Sequence, residues 1–135
     1  MISAVDTNVL IDVLADNPQH ATRSIATLRA AQAHGPLVIC ELVQAEIARY
    51  FDTLDQLRKT LGLLNIAAEP IGDEACHTAG QAFLRYCARG GTRDRILADF
   101  VIGAHAQVRC SQLITRDRGF YRDYFPKLVV NDPSH

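Results

Sequence analysis

Short runs of consecutive apolar residues alternate along the chain with longer stretches in which apolar residues recur every three or four positions. The short runs predict buried strands, and the longer stretches predict helices with one apolar side. Five strands are predicted, the third of them weak because alanine fills it: residues 2–5, 37–40, 65–69, 112–115 and 127–130. Because helical stretches separate most of them, the pattern predicts an α/β fold with a parallel sheet of four to five strands and helices on both faces.

Helical segments fill most intervals between the predicted strands. Pro18 ends the first helix near Asn17, because proline disfavours helical backbone in the residue before it. The predicted helices occupy residues 9–17, 19–34, 41–50, 52–64, 73–89 and 96–105, and residues 116–121 are predicted as a loop. Gly90-Gly91 breaks the helical pattern inside the domain, so residues 1–135 are predicted to form a single domain.

Length and composition agree with one globular domain. A chain of 135 residues with 48% apolar residues can bury a substantial core. It has no apolar run of membrane-spanning length and enters its first strand without a basic, apolar leader, so we expect a cytoplasmic protein that does not bind membranes. The cysteines form no CxxC pair, which predicts buried reduced thiols and no zinc site: Cys40, Cys76, Cys87 and Cys110.

The net charge of −1 says nothing about partners, but its distribution is uneven. Residues 1–84 contain 5 basic and 10 acidic residues, whereas residues 85–135 contain 9 basic and 5 acidic residues. One interpretation is ordinary solvated surface. The other is a basic face beside an acidic centre, an arrangement suited to a protein that handles phosphodiesters.

Four acidic residues lie at related positions of the predicted fold. Asp6 directly follows the first strand, and Asp117 lies two residues past the fourth. Glu46 lies on a largely apolar side of the helix after the second strand, and Asp99 lies in the first turns of the helix before the fourth. Because parallel strands end at a common edge, we expect these acids to converge there.

Converging carboxylates repel one another, and a hard cation such as Mg²⁺ or Mn²⁺ would stabilise them. Two such ions, roughly 3.5–4 Å apart, could bracket a phosphodiester, one activating water and the other stabilising the leaving oxygen. The sequence offers no convincing protein nucleophile, since it contains no GxSxG motif and no paired Cys and His.

Each acid also has a purely structural interpretation, which the spacing alone leaves open. Asp6 could cap a helix, and Asp117 could be a turn residue. Asp99 could interact with its helix dipole, and Glu46 could be a surface residue. Asp94 has the same ambiguity, since it could cap the following helix or reach a second metal ion.

Several segments together resemble the PIN-domain ribonucleases, most closely the VapC-type toxins of bacterial and archaeal toxin–antitoxin pairs. They are Asp6-Thr-Asn-Val-Leu10, Glu46 on its helix, Ile96-Leu-Ala-Asp-Phe-Val-Ile-Gly-Ala-His105, and Leu113-Ile-Thr-Arg-Asp-Arg-Gly-Phe-Tyr121. The resemblance covers essentially the whole chain. It implies a single PIN domain with endoribonuclease activity that depends on Mg²⁺ or Mn²⁺ and inhibits translation.

The resemblance also implies roles for individual residues. Metal ligation by Asp6 and Asp99 is implied, with Glu46 and Asp117 completing the acidic set directly or through water. The implied supporting residues are Thr7, Asn8, Thr115 and Arg116. The candidates for contact with RNA phosphates are Arg93, Arg95, Arg116 and Arg118. The implied partners are an RNA substrate, a cognate antitoxin and a second copy of the toxin in a homodimer.

Two other classes of function compete with this interpretation. The first is a phosphoryl-transfer or phosphatase-like α/β domain with Asp6 as nucleophile. Such folds place an acid after the first strand, but they typically also need a second acid two residues later or a late lysine, and this chain has Asn8 there. The second is a non-catalytic module on the same fold that binds RNA or protein.

Overall fold

A computed structural model describes residues 1–91 and 95–135, and within them strands and helices alternate along the chain. The strands are β1 (Ser3–Val5), β2 (Leu37–Ile39), β3 (Ile66–Ala68), β4 (Gln112–Ile114) and β5 (Val130–Asn131). The helices are α1 (Thr7–Leu14), α2 (Ala21–Gln32), α3 (Glu41–Ala48), α4 (Leu54–Leu63), α5 (Gly72–Ala88), α6 (Leu97–Arg109) and α7 (Arg118–Tyr124).

The strands form one sheet in the order β3-β2-β1-β4-β5, and all neighbouring strands are parallel. Every residue of β1, β2 and β4 is buried. Successive residues of a strand point to opposite faces, so both faces of the sheet are covered. The predicted α/β class, with a parallel sheet of up to five strands and helices on both faces, is confirmed.

The central position of β1 determines where the sheet opens a cleft. The chain passes from β1 through β2 to β3 on one side, and then returns to the other side of β1 as β4 and β5. Connections therefore leave the β1–β4 boundary in opposite directions, which is the position where open α/β sheets bind their ligands. The backbone N–H of Asp6 extends the ladder past β1 by donating to the carbonyl of Ile114 at 2.9 Å.

Aromatic packing attaches α6 and α7 to the rest of the domain. The buried ring of Phe100 contacts five other rings, those of Phe83, Tyr86, Phe120, Tyr124 and Phe125. Gly103, one turn later on α6, leaves the space that Phe125 occupies, because a Cβ atom there would lie 2.6 Å from its ring. None of the helices in the described part of the chain has the length and apolarity needed to cross a membrane.

The structure corrects three sequence predictions. Residues 116–121 are not all loop, because α7 begins at Arg118, where Phe120 and Tyr121 are buried against the core. The last strand is Val130–Asn131 and not residues 127–130. The expectation of buried thiols holds for Cys40 but not for two cysteines on the outer side of α5, which are exposed: Cys76 and Cys87.

Candidate metal centre

The four acids identified in the sequence line one cavity outside the carboxyl ends of β1 and β4, with a volume of about 380 Å³. The same cavity is lined by Thr7, Asn8, Ile11, Ala45, Arg49, Ile102 and Tyr121. Strands β1 and β4 deliver Asp6 and Asp117, while α3 and α6 deliver Glu46 and Asp99. The expected convergence of the acids is therefore what the structure contains.

Asp6 lies at the base of the cavity and is only 6% exposed. One carboxylate oxygen, Oδ1, accepts the backbone N–H of Thr7 at 2.7 Å and caps α1. The other oxygen, Oδ2, accepts the hydroxyls of Thr115 at 2.8 Å and Tyr121 at 3.0 Å. The capping role is thus real, but it uses one oxygen, and the second is oriented by side chains from β4 and α7.

Burial raises the pKa of Asp6 to about 6, even though its hydrogen bonds to Thr115, Tyr121 and Thr7 favour the charged form. The nearby Glu46 carboxylate raises this pKa further. Burial also raises the pKa of Tyr121 well above its usual value, so its hydroxyl stays protonated and donates to Asp6. Neutral donors alone therefore only partly compensate the buried carboxylate.

Glu46 is exposed at the cavity rim, which corrects its expected place on an apolar side of the helix. The hydroxyl of Thr7 donates to Glu46 Oε1 at 2.8 Å, so Thr7 contacts Asp6 through its backbone and Glu46 through its side chain. Asp99 is half-buried, and its Oδ2 accepts the backbone N–H of Ile96 at 3.1 Å, which closes the first turn of α6.

Asp117 differs from the other three acids because an arginine holds it. Both of its carboxylate oxygens accept hydrogen bonds from Arg95, one of them at 3.0 Å. The Arg95 guanidinium also lies 4.4 Å from the ring centroid of Phe120. The hydrogen bond to Asp117 raises the pKa of Arg95, so the guanidinium stays charged. Among residues 1–91 and 95–135, Asp6, Glu46 and Asp99 have no comparable basic partner.

Arg116 is engaged with a buried acid that the sequence analysis did not single out. Its Nε and Nη2 donate to Asp12 Oδ2 at 2.7 Å and Oδ1 at 3.0 Å, and Asp12 is 1% exposed. The hydroxyl of Ser24 donates to the same carboxylate at 3.0 Å. Asp12 follows Asn8 by four residues, so both lie on one side of α1. An acid in an otherwise apolar helix, four residues after Asn8, is the sequence signal by which Asp12 could have been identified.

The predicted supporting residues form one connected network. Asn8 Nδ2 lies 3.3 Å from Thr115 Oγ1, and Asn8 Oδ1 accepts the backbone N–H of Arg116 at 3.2 Å. Thr115 Oγ1 also accepts the backbone N–H of Asp117 at 3.0 Å. This network fixes the segment after β4 relative to α1. It thereby fixes the backbone positions of Asp6, directly before α1, and of Asp117, two residues after Thr115.

The remaining predicted residues lie at the edge of the site or outside the description. Arg118 is 3.8 Å from Asp132. Arg93 and Asp94 lie outside the described residues, so their predicted roles stay predictions. The sequence analysis missed Tyr121 and Arg49 as cavity residues. Tyr121 follows Asp117 by four residues, a spacing that brings side chains together only in a helix, and a loop had been predicted there.

The donor set of the cavity fits a hard divalent cation. All four acids supply oxygen, three of them have no basic partner in the described chain, and one is deeply buried. No three of the described acids, histidines or cysteines lie close enough together to enclose a metal ion. Mg²⁺ typically binds through one or two carboxylates and keeps several waters, so an open acidic cavity suits it better than a closed protein cage would.

Comparisons with known proteins place this fold in a family. Residues 4–125 match the PIN domain family. The chain therefore belongs to the PIN domain family. PIN domains are nucleases, which places the chain among the hydrolases that act on nucleic acids. A search of curated proteins found no match.

Solved structures of two VapBC proteins and of one toxin–antitoxin complex share the fold. VapBC2 from Rickettsia felis has a chain with a TM-score of 0.75 at 18% identity, over 98% of both chains. VapBC-1 from nontypeable Haemophilus influenzae gives 0.73 at 19% identity over all of both chains. A toxin–antitoxin complex from Klebsiella pneumoniae gives 0.67 at 22% identity over 97% of both chains. At these identities the similarity shows the fold.

Proposed function

We propose that the protein is an endoribonuclease dependent on Mg²⁺ or Mn²⁺, and that it is the VapC-type toxin of a toxin–antitoxin pair. In this proposal it cleaves RNA phosphodiester bonds with metal-activated water and thereby inhibits translation in the cytoplasm. The observation that carries the proposal is the single cavity that Asp6, Glu46 and Asp99 line without basic partners among the described residues. A divalent cation would offset the repulsion among these carboxylates and compensate the burial of Asp6, whose pKa is raised to about 6.

The side chains around Asp6 would prepare this site for a cation. Asp6, Glu46 and Asp99 would hold the ion, and a bound Mg²⁺ or Mn²⁺ supplies a Lewis acid and an activated water. Thr7 keeps the carboxylates of Asp6 and Glu46 together, since it donates to both. The Tyr121 hydroxyl orients Asp6 Oδ2 by donating a hydrogen bond to it. These contacts fix the acids in advance, which lowers the reorganisation that catalysis would otherwise require.

Arg95 and Asp117 would contribute to the charge balance of the same cavity. The guanidinium neutralises Asp117, so a phosphate that enters meets three unbalanced carboxylates and not four. Direct metal ligation by Asp117 would require it to share or leave Arg95. Its contribution through water is compatible with the ion pair. The role of Asp117 as a metal ligand remains a prediction.

The fold comparisons motivate the proposed partners. The structures with this fold include VapBC2 from Rickettsia felis, VapBC-1 from Haemophilus influenzae and a toxin–antitoxin complex from Klebsiella pneumoniae. We therefore propose a cognate antitoxin that binds this chain, and a homodimer of the toxin. A phosphatase-like use of Asp6 as nucleophile is less compatible with the site, because Asn8, and not a second acid, stands two residues later.

The decisive experiment is cleavage of total cellular RNA by purified protein with Mg²⁺ or Mn²⁺, with a chelator as control. The Asp6→Asn, Asp99→Asn double variant removes two cavity acids, and the Asp73→Asn, Glu74→Gln variant removes two exposed acids on α5. Discrete fragments with wild type and the α5 variant, but not with the cavity variant or the chelator, would support the proposal. Equal cleavage by all three proteins would refute it, and Mn²⁺ binding would show whether the cavity acids hold metal.

A further inference from the structure

We propose that Arg49, at the mouth of the acidic cavity, binds a backbone phosphate of the nucleic acid that enters it. The inference rests on the proposed nuclease function and names the residue that holds the substrate there. Arg49 was not among the arginines that the sequence singled out for RNA contact. Three observations carry the inference: its position, its lack of a carboxylate partner in the described chain, and the charge of the cavity beside it.

The position of Arg49 follows from the helix that carries Glu46. Arg49 directly follows the last residue of α3 and lies three residues after Glu46, so the two side chains are neighbours on one side of the helix. Both line the cavity, as does Ala45 one turn before Arg49. Arg49 is exposed, whereas Asp6 at the base of the cavity is 6% exposed. The Arg49 side chain therefore belongs to the solvent-exposed part of the cavity lining, and Asp6 to its buried part.

The other described arginines predicted to contact RNA already have acidic partners. Arg95 is held by Asp117, Arg116 by Asp12, and Arg118 lies 3.8 Å from Asp132. Within residues 1–91 and 95–135, no carboxylate lies within 4.0 Å of the Arg49 guanidinium. Among the described residues its one side-chain hydrogen bond is to the Tyr50 hydroxyl, at the long distance of 3.5 Å. Its donors are accordingly available to a ligand.

The negative charge of the cavity explains why a basic side chain is needed beside it. A polyanion that approaches several carboxylates is repelled, and a guanidinium at the entrance offsets part of that repulsion. Arginine also presents paired N–H groups that match the oxygens of a phosphate. The Arg49 guanidinium lies 5.2 Å from the ring centroid of Tyr50, which is 42% exposed and limits where the side chain can go.

A structural role is the competing explanation. Arg49 lies at the carboxyl end of α3, where a cation interacts favourably with the helix dipole. Such a role predicts a small change in thermal stability on substitution and no specific change in nucleic-acid binding. The two explanations therefore differ in what is measured, and the experiment below follows binding and stability separately.

The test measures binding of a fluorescent single-stranded RNA, with chelator present to prevent cleavage, over a series of salt concentrations. Arg49→Gln is compared with Arg58→Gln, which removes an exposed arginine of α4 outside the cavity. We expect Arg49→Gln to weaken binding by roughly tenfold and to reduce the salt slope by about 0.7, the value for one phosphate contact on a single strand. Arg49→Lys should retain part of the affinity, and Arg58→Gln should match wild type.

The outcomes separate this inference from the proposed function. If wild type cleaves RNA with metal but Arg49→Gln binds RNA with unchanged affinity and salt slope, the role of Arg49 is refuted and the nuclease function stands. If Arg49→Gln also loses Mn²⁺ binding, Arg49 supports the acids and does not contact substrate, which likewise overturns the inference. If wild type neither binds nor cleaves RNA, the proposed function itself fails.

Discussion

At the scale of single residues, the burial of the Asp6 carboxylate dominates the site. The pKa of Asp6 is about 6 in the folded protein and near 3.8 in the unfolded chain. Between pH 3.8 and pH 6 the folded protein therefore holds a proton on Asp6 that the unfolded chain has released. The protonated form of Asp6 therefore stabilises the fold below about pH 4, and this contribution is lost as the pH rises through about 6. The ionised carboxylate costs stability at neutral pH unless a cation compensates it.

Asp6→Asn should consequently gain stability relative to wild type as the pH rises, when metal is absent. The amide keeps the shape of the carboxyl group and one acceptor oxygen but carries no charge. Each pKa unit corresponds to about 1.4 kcal/mol, so the difference in unfolding free energy should grow by about 2 kcal/mol between pH 4 and pH 7. Chemical unfolding of both proteins with chelator at several pH values measures it, and parallel curves for the two would contradict the raised pKa.

At the scale of elements, the buried ion pair between Asp12 and Arg116 attaches α1 to the connection between β4 and α7. The same connection carries Thr115 and Asp117, so its position determines part of the cavity. Removing one partner of a buried ion pair leaves the other without compensation, at a cost of about 3–5 kcal/mol. Partial exposure of Arg116, 27% for its side chain, favours the lower end of that range.

Asp12→Ala should therefore destabilise the protein by about 3 kcal/mol in chemical unfolding. The Asp12→Ala, Arg116→Gln double variant removes both charges and should be less destabilised than the sum of the single variants. Additive effects would show that the two side chains do not interact in solution. Because Asp12 does not line the cavity, Mn²⁺ binding at low temperature, where the variant is folded, should weaken less than it does in Asp6→Asn.

The packing of α6 against Phe125 gives a second prediction at this scale. An added methyl at Gly103 would lie 2.6 Å from the Phe125 ring, so Gly103→Ala should destabilise the domain by about 1–3 kcal/mol. Gly80→Ala on α5 is the matched control, since nothing lies within 4 Å of its added Cβ and alanine favours helix. Thermal unfolding should rank Gly80→Ala at or above wild type and Gly103→Ala clearly below; equal midpoints would exclude close packing at Gly103.

The same elements show what the sequence could predict. Apolar runs located the first four strands but not β5, which begins at Val130. The parallel arrangement of β1 and β4 brings Asp6 and Asp117 to one edge, so local pattern and parallel topology suffice to predict that these two acids converge. The helix α7 was missed, since Arg116-Asp-Arg-Gly119 resembles a turn while its helical conformation depends on burial of Phe120 and Tyr121. The partners of Asp12 and Asp117 could not be predicted, because arginines distant in sequence supply them.

At the scale of the whole molecule, ion pairs engage part of the excess of basic residues in the second half. Four of its arginines pair with acids from across the chain: Arg95 with Asp117, Arg109 with Glu69, Arg116 with Asp12 and Arg118 with Asp132. The pair of Arg116 and Asp12 joins the segment after β4 to α1. The pair of Arg109 and Glu69 joins the end of α6 to the residue that follows β3. Asp6, Glu46 and Asp99 have no such partners among the described residues. The electrostatic field at the carboxyl ends of β1 and β4 therefore attracts cations.

Cation binding at the cavity should therefore stabilise the entire domain. A ligand that binds only the folded state contributes about 2.7 kcal/mol at a hundred times its dissociation constant, which for a domain of this size corresponds to roughly 5–15 °C in Tm. Mn²⁺ should raise the Tm of wild type and of the Asp73→Asn, Glu74→Gln control, and a chelator should reverse the effect. The Asp6→Asn, Asp99→Asn variant should show little change. Because protons compete for Asp6, whose pKa is about 6, the shift should be larger at pH 7.5 than at pH 5.5. An equal Tm shift in all three proteins would mean that Mn²⁺ binds elsewhere and that the cavity is not the metal centre.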